Sequence, residues 1–126
     1  MSVQVLTLSE TKARCRDAYC AKRLMAQYPI RSERECVYKK GTYGCAIGVS
    51  LTEETHKKLV GSECLQSSPI SILIAKGILR VPEEERPYLR EIQYTHDDWA
   101  NASRNYGDNG QETIMAEENF LKLIYS

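Results

Sequence analysis

The spacing of the apolar residues changes along this chain from the period of a helix to that of a strand, which restricts the fold to a mixture of the two. Before Pro29, apolar residues recur every three or four positions, as on one face of a helix. From Cys45 to Leu51, every second residue is large and apolar, or a cysteine. After Pro87 the helical spacing returns, with one face formed by Leu89, Ile92, His96 and Trp99.

The segment from Glu35 to Leu51 is expected to form an antiparallel hairpin, because its period of two continues on both sides of a glycine-bounded loop. A four-residue loop from Gly41 to Gly44 places Tyr38 opposite Ile47. In this register Cys36 and Cys45 lie roughly 13 Å apart along the ladder. A disulfide requires Cα atoms within about 7 Å, so we expect no bridge between them.

Helix start and stop signals predict four or five helices around this hairpin. The expected helices run from Thr7 to Tyr28, from Thr52 to Val60, from Pro69 to Gly77, from Pro87 onward and from about Glu112 onward. The run from Asn101 to Gln111 is rich in turn formers and is expected to be a mobile loop. We therefore expect a single domain, residues 1–126, of the α+β class, in which a small antiparallel hairpin packs against four to five α-helices.

Charge and composition exclude several classes of protein. The 17 basic and 17 acidic residues cancel, so no overall field attracts nucleic acid or an anionic membrane. No apolar run approaches the length of a membrane span, and the N-terminus lacks the features of a secretory signal. We expect a cytoplasmic protein, in which the odd number of five cysteines stays reduced.

The cysteines and histidines allow two chemical interpretations besides packing. A zinc site needs closely spaced ligand pairs such as C-x-x-C, which the sequence lacks, so we expect no metal and no cofactor. A thiol enzyme would use Cys45 as nucleophile, His96 as base and Asp97 to orient the imidazole. Buried cysteine and a core histidine are the commoner reasons for such residues, so the sequence leans away from an enzyme.

A small basic and aromatic patch suggests a ligand site. Lys39, Lys40 and Tyr43 lie at the predicted hairpin loop, and Arg104 and Tyr106 lie in the predicted mobile loop. Together they would hold a nucleotide-like molecule by charge and ring stacking. Solvated lysines at a sheet edge are the alternative explanation for the first pair.

The order of C-x-Y at Cys36 and Tyr38, CAIG at Cys45–Gly48 and a late His-Asp-Asp-Trp resembles a group of small uncharacterised proteins encoded by tailed bacteriophages and prophages. The resemblance covers roughly residues 35–100. The chain departs from that pattern after CAIG, where Val-Ser-Leu-Thr stands in place of a Pro-Asp turn. The resemblance implies an accessory role in the phage and supplies no catalytic residues.

These observations lead to three expectations of function. The first is a non-enzymatic phage accessory protein that binds, and thereby inhibits, a host protein or defence system, since tyrosine is favoured at interfaces and eight tyrosines are present. The second is sequestration of a nucleotide-like signalling ligand. The third is the thiol enzyme built on Cys45 and His96. General nucleic-acid binding and membrane association are not expected, and the oligomeric state is left open.

Overall fold

Helices form most of the chain in the computed structural model, which describes residues 3–27, 38–39, 41–59 and 68–126. In these ranges the helices are α1 (Leu8–Cys20), α2 (Glu53–Leu59), α3 (Ile70–Ala75), α4 (Arg86–Tyr106) and α5 (Gln111–Ile124). Two short strands, β1 (Gln4–Val5) and β2 (Leu79–Arg80), pair in parallel. None of the helices in the described ranges is long and apolar enough to cross a membrane.

The predicted antiparallel hairpin is wrong. Residues 46–47 lie in a turn, and Gly48–Ser50 forms a short 3-10 helix instead of a strand. The sheet of the described chain is the parallel pair of β1 and β2, in which Gln4 lies opposite Leu79. The α+β description with a hairpin is therefore replaced by a helix-rich fold with one two-stranded parallel sheet. Cys36, which the predicted register included, lies outside the described residues.

The period of two between Cys45 and Leu51 has a different origin from a hairpin. Cys45 and Ile47 are buried in one apolar cluster, whereas Ala46 between them is buried in a second. Leu51 is also buried in the cluster of Cys45 and Ile47, but Val49 packs against the cluster of Ala46, so the segment runs between two cores without the single buried face of a strand. Its main-chain groups bind neighbouring helices, since the Ile47 N–H donates to Gln93 Oε1 of α4 at 2.9 Å and the Cys15 thiol of α1 donates to the Ala46 carbonyl at 3.3 Å.

Helix α1 begins as predicted and ends earlier than predicted. Thr7 is the N-cap, and its hydroxyl accepts a hydrogen bond from the Glu10 N–H at 3.1 Å. The helix stops at Cys20 rather than at Tyr28, and Lys22 adopts a left-handed conformation at φ 57°. The chain then pairs with a distant segment, because the Met25 N–H donates to the Gly44 carbonyl at 2.8 Å. A tertiary contact thus ends a helix that local spacing would continue.

Helix α4 is the longest element of the described chain and carries the predicted inward face. Leu89, Ile92, His96 and Trp99 are all buried, which confirms the helical spacing. The helix continues through residues 101–106, where a loop was predicted, and ends at Gly107 with φ 76°. Burial of Ala102 and Ser103 explains the extension, because packing outweighs the turn propensity of the neighbouring asparagines.

Helix α5 packs along α4 and closes the first apolar cluster. Its buried face is Thr113, Ala116, Phe120 and Ile124, whereas Ile114 is 43% exposed. Phe120 contacts Trp99 and His96 of α4, with ring centroids 5.6 and 5.7 Å apart. The face that a helix buries is thus decided by its partner helix.

The two short helices follow their predicted caps. The Thr52 hydroxyl accepts from the Thr55 N–H at 3.2 Å, which fixes the start of α2, while Val60 and Gly61 lie outside the described residues. Pro69 is the N-cap of α3, and Gly77 follows the helix with φ 73°. Both helices add side chains to the second apolar cluster, around Leu59 and Leu73.

Candidate functional site

A cleft of about 370 Å³ lies where the residue 41–49 loop meets the start of α2 and the turn after α1. Its size is at the lower end of the range for small-molecule sites in proteins. The polar side chains that line it include Arg23, Lys39, Tyr43, Glu53 and His56. Val49 and Leu51 supply apolar wall.

Two glycines shape the cleft by letting the chain approach Tyr38. A Cβ atom built on Gly48 would lie 1.8 Å from the Tyr38 carbonyl oxygen, and one built on Gly44 would lie 2.6 Å from the same atom. Tyr38 itself is buried, and its hydroxyl donates to the Ser68 carbonyl at 2.5 Å. The loop can therefore close over Tyr38 only with glycine at both positions.

Arg23 reaches the cleft because main-chain bonds fix the turn that carries it. Its carbonyl accepts from the Gly44 N–H at 3.0 Å, and its N–H donates to the Ala18 carbonyl at 2.9 Å. Leu24 and Gly44 form an isolated parallel bridge beside it. The residue 41–49 loop therefore fixes the main chain that carries the Arg23 side chain.

The charged side chains of the cleft do not neutralise each other. Arg23, Lys39 and Glu53 line it, all three are exposed, and none forms a hydrogen bond or ion pair through its side chain with another described residue. An ion pair between solvent-exposed side chains stabilises a protein only slightly, so these groups gain little by pairing with each other. The cleft therefore presents two positive groups and one negative group that remain available to a ligand.

His56 forms a largely buried wall of the cleft, with 9% of its surface exposed. One ring nitrogen, Nε2, lies 2.8 Å from the Gly48 carbonyl oxygen, which requires that this nitrogen carry a hydrogen. The other, Nδ1, is buried and has no hydrogen-bond partner among the described residues. Burial lowers the pKa of His56, the Gly48 carbonyl opposes this effect, and Lys39 lowers the pKa further. The ring is therefore neutral at neutral pH, with an unshared lone pair on Nδ1.

Gln4 holds the start of α2, and with it Glu53, against the rest of the molecule. Its amide nitrogen donates to the Ser50 carbonyl at 2.9 Å. Its amide oxygen accepts from the Thr52 N–H at 2.9 Å and from the Thr55 hydroxyl at 2.8 Å. No sequence signal pointed to Gln4, because its partners lie about 50 residues away.

Cys45, the nucleophile of the thiol-enzyme interpretation, is enclosed. It is 1% exposed, and its sulfur accepts from the Gly48 N–H at 3.4 Å. Burial, followed by the nearby carboxylate of Asp97, raises the pKa of the thiol to about 12. The thiol is therefore protonated at neutral pH, so this arrangement lends no support to the third expectation.

His96 and Asp97 are in contact, as the thiol-enzyme interpretation required, but both ring nitrogens of His96 already have hydrogen-bond partners. Nδ1 of His96 lies 3.1 Å from Asp97 Oδ1, and Nε2 accepts from the Ala26 N–H at 3.2 Å. The ring is completely buried. Because the Ala26 N–H occupies the lone pair of Nε2, this nitrogen cannot take a proton from a thiol. His96 instead ties the turn after α1 to α4.

The predicted ligand residues divide into three groups. Lys39 and Tyr43 both line the cleft. Lys40 lies outside the described residues. Arg104 and Tyr106 do not line the cleft; they lie in the last turn of α4, where an Arg104 guanidinium nitrogen is 3.4 Å from Asn101 Oδ1. Sequence reasoning did not identify Arg23, Glu53 or His56, which only the tertiary fold brings to the same place.

The other two described cysteines, Cys15 and Cys20, differ in their exposure to solvent. Cys15 is buried, and burial raises its pKa to about 12, whereas Cys20 is exposed. All three described cysteines are free thiols. Among the described residues, no group of three or more His, Cys, Asp or Glu side chains is placed to hold a metal ion.

A second cleft, of about 380 Å³, lies between α3 and the start of α4. Its walls include Ile70, Ile74 and Pro87, with Arg86, Arg90 and Glu83 around them. Arg86 Nε already donates to the Val81 carbonyl at 3.1 Å. The described residues that line this cleft include no aromatic ring and no glycine-bounded loop, so the first is the stronger candidate.

No family model, curated protein or solved structure matches this chain.

Proposed function

We propose that the protein binds a small anionic, nucleotide-like molecule in the cleft of about 370 Å³. The observation that carries the proposal is the presence of Arg23 and Lys39 in one cleft without an ion-pair partner among the described residues. Guanidinium and ammonium groups are the usual partners of phosphate, so together they favour a ligand with a phosphate or a similar anion.

The remaining walls fit the rest of such a ligand. Tyr43 is half-buried in the cleft and offers an aromatic face for a base to stack on. Val49 and Leu51 supply apolar surface beside it. The glycine-bounded loop carries few side chains, which lets a ligand approach its main chain. Cys45 does not line this cleft and its thiol is protonated at neutral pH, so it offers no nucleophile to a ligand bound there.

The proposal is tested by isothermal titration calorimetry with a panel of linear and cyclic nucleotides. We expect Arg23→Ala and Lys39→Ala each to weaken binding by up to about fivefold, since an ion pair at an exposed site contributes up to about 1 kcal/mol. Lys57→Ala is the matched control, because Lys57 is exposed on α2 and does not line the cleft. Arg104→Ala examines whether the predicted site extends to the end of α4. A panel without any binding would contradict the proposal.

Binding to a host protein, with the phage accessory role that the sequence resemblance implies, is a second candidate. The observation in its favour is that Tyr88, Tyr94 and Tyr106 of α4 are each more than half exposed, Tyr94 to 74%. Exposed tyrosine provides contact area at low entropic cost. The test is capture of partners from infected cells with the wild-type protein and with Tyr94→Ser. A partner lost with the variant supports this function, and no stable partner contradicts it.

A further inference from the structure

We infer that the cleft takes up a proton on His56 when it binds its anionic ligand, so that a third positive group joins Arg23 and Lys39. The inference rests on the proposed function, because it assigns a regulation to the same site. It starts from Nδ1 of His56, a buried atom without a hydrogen-bond partner among the described residues. The affinity of the cleft for an anion is then expected to rise as the pH falls.

His56 is placed so that its charge acts on the cleft. The ring lines the same cleft as Arg23 and Lys39, although only 9% of the residue is exposed. Burial lowers the pKa of His56, the Gly48 carbonyl opposes this effect, and the charge of Lys39 lowers the pKa further. A negative group bound beside Lys39 acts on the ring with the opposite sign, so it favours the charged ring.

The added proton has a defined place on the ring. Nε2 of His56 lies 2.8 Å from the Gly48 carbonyl oxygen, so it already carries a hydrogen. A proton taken from solvent therefore binds the lone pair of Nδ1. The hydrogen bond from Nε2 to Gly48 is kept in both states, because only the neutral nitrogen changes. Proton uptake thus changes the charge of the cleft wall while the Gly48 bond holds the ring in place.

The empty cleft opposes the charged ring. Burial disfavours the charge, and the charge of Lys39 repels it. A protonated Nδ1 would also be a buried donor without an acceptor among the described residues, which costs free energy. Glu53 favours the charged ring, but the pKa of His56 remains below its ordinary value. The free protein therefore holds His56 neutral at neutral pH, and the anion supplies the missing negative charge.

His56 is the group of the cleft that is expected to respond to pH. Histidine is the side chain whose charge ordinarily changes between pH 5 and 8, whereas arginine, lysine, glutamate and tyrosine ordinarily keep theirs. The other titratable or charged side chains that line the cleft are Arg23, Lys39, Glu53, Tyr38 and Tyr43. A pH dependence of binding that the ligand itself does not cause is therefore assigned to His56.

The first experiment is NMR of the histidine rings in the full chain, which has two, His56 and His96. They are titrated from pH 7.5 to 5.5, free and saturated with the nucleotide of the panel that binds most tightly. We expect the nucleotide to move the His56 titration to higher pH. His96 does not line the cleft, so it serves as the internal control. An unmoved His56 titration overturns this inference while the proposed function stands.

The second experiment counts the protons by calorimetry at pH 6.0 in two buffers of unlike ionisation heat, neither of them phosphate. We expect wild type to take up more protons than His56→Gln, by up to about 0.4 per ligand, the most that a fivefold coupling produces. The affinity of wild type should likewise rise by up to about fivefold from pH 7.5 to 5.5, the effect of one further ion pair. The nucleotide's own titration is common to both proteins and cancels in this comparison.

Lys57→Ala is the matched control, since Lys57 is exposed on the same helix and does not line the cleft. It should keep the proton uptake of wild type. Equal uptake by wild type and His56→Gln overturns the inference and leaves the proposed function standing. Absence of binding by every nucleotide, in the wild type and at low salt, overturns both.

Discussion

The α-carbon of Gly48 lies directly against the main chain of Tyr38, so close that an added Cβ would approach the Tyr38 carbonyl oxygen to 1.8 Å and the carbonyl carbon to 2.6 Å. This contact closes the loop that forms the cleft and places the Gly48 carbonyl within 2.8 Å of His56 Nε2. Gly48 thus packs against the main chain of Tyr38 and also binds His56 in the wall of the cleft.

Replacement of Gly48 by alanine is expected to destabilise the protein by about 1–3 kcal/mol, the usual cost of forcing extra atoms into a packed interior. The neighbour is main chain, which cannot turn aside as a flexible side chain can. Denaturant unfolding monitored by circular dichroism measures the change. Gly41→Asn is the control, because Gly41 has φ 62° with open space around it, and asparagine tolerates that conformation. Equal stability of Gly48→Ala and wild type would contradict the close packing.

Acid is expected to weaken the fold through His56. Burial holds the pKa of His56 in the folded protein below its ordinary value of 6.5, so the unfolded chain binds the proton more readily. The contribution of the neutral ring is therefore complete above pH 6.5 and is lost as the pH falls below it. Unfolding free energies measured from about pH 7.5 to 5.5 should fall more steeply for wild type than for His56→Gln, which cannot titrate. Parallel curves would remove His56 as the cause.

Thiol labelling should distinguish the described cysteines. Cys20 is exposed and should react with iodoacetamide at neutral pH. Cys15 and Cys45 are buried, and burial raises the pKa of each to about 12, so neither thiol is ionised to a useful extent. Mass spectrometry of peptides from the native protein identifies the labelled sites. Labelling of Cys45 as fast as Cys20 would restore the thiol enzyme as a candidate.

His96 is expected to matter for stability and not for chemistry. His96→Leu removes the acceptor of the Ala26 N–H and leaves that buried donor unpaired, which costs about 1–3 kcal/mol. His96→Gln offers an amide oxygen to the same N–H and should recover part of the loss. Thermal unfolding of the two variants provides the measurement. If leucine were tolerated as well as glutamine, the hydrogen bond to Ala26 would not hold the turn after α1.

Local signals in the sequence determined the starts of the helices and one buried face. The Thr7 cap, the Thr52 cap and the glycine at position 77 act within one helical turn, so the sequence is sufficient to place them. The face of α4 that carries His96 and Trp99 was predictable because its apolar spacing persists over several turns. Lys39 and Tyr43, predicted as ligand residues together with Lys40, line the same cleft because they are close in sequence.

The tertiary structure alone decided what the segment from Cys45 to Leu51 becomes. Its period of two predicts a strand, but the segment runs between two apolar clusters, with Ile47 in one and Val49 against the other. The hydrogen bonds to Gln93 and from Cys15 hold it there. The tertiary structure also brought Arg23, from the turn after α1, to the same cleft as Glu53 and His56 of α2. The spacing of residues in the sequence predicts structure only over a few neighbouring positions. The positions named above depend instead on how elements that are distant in sequence pack together in the interior.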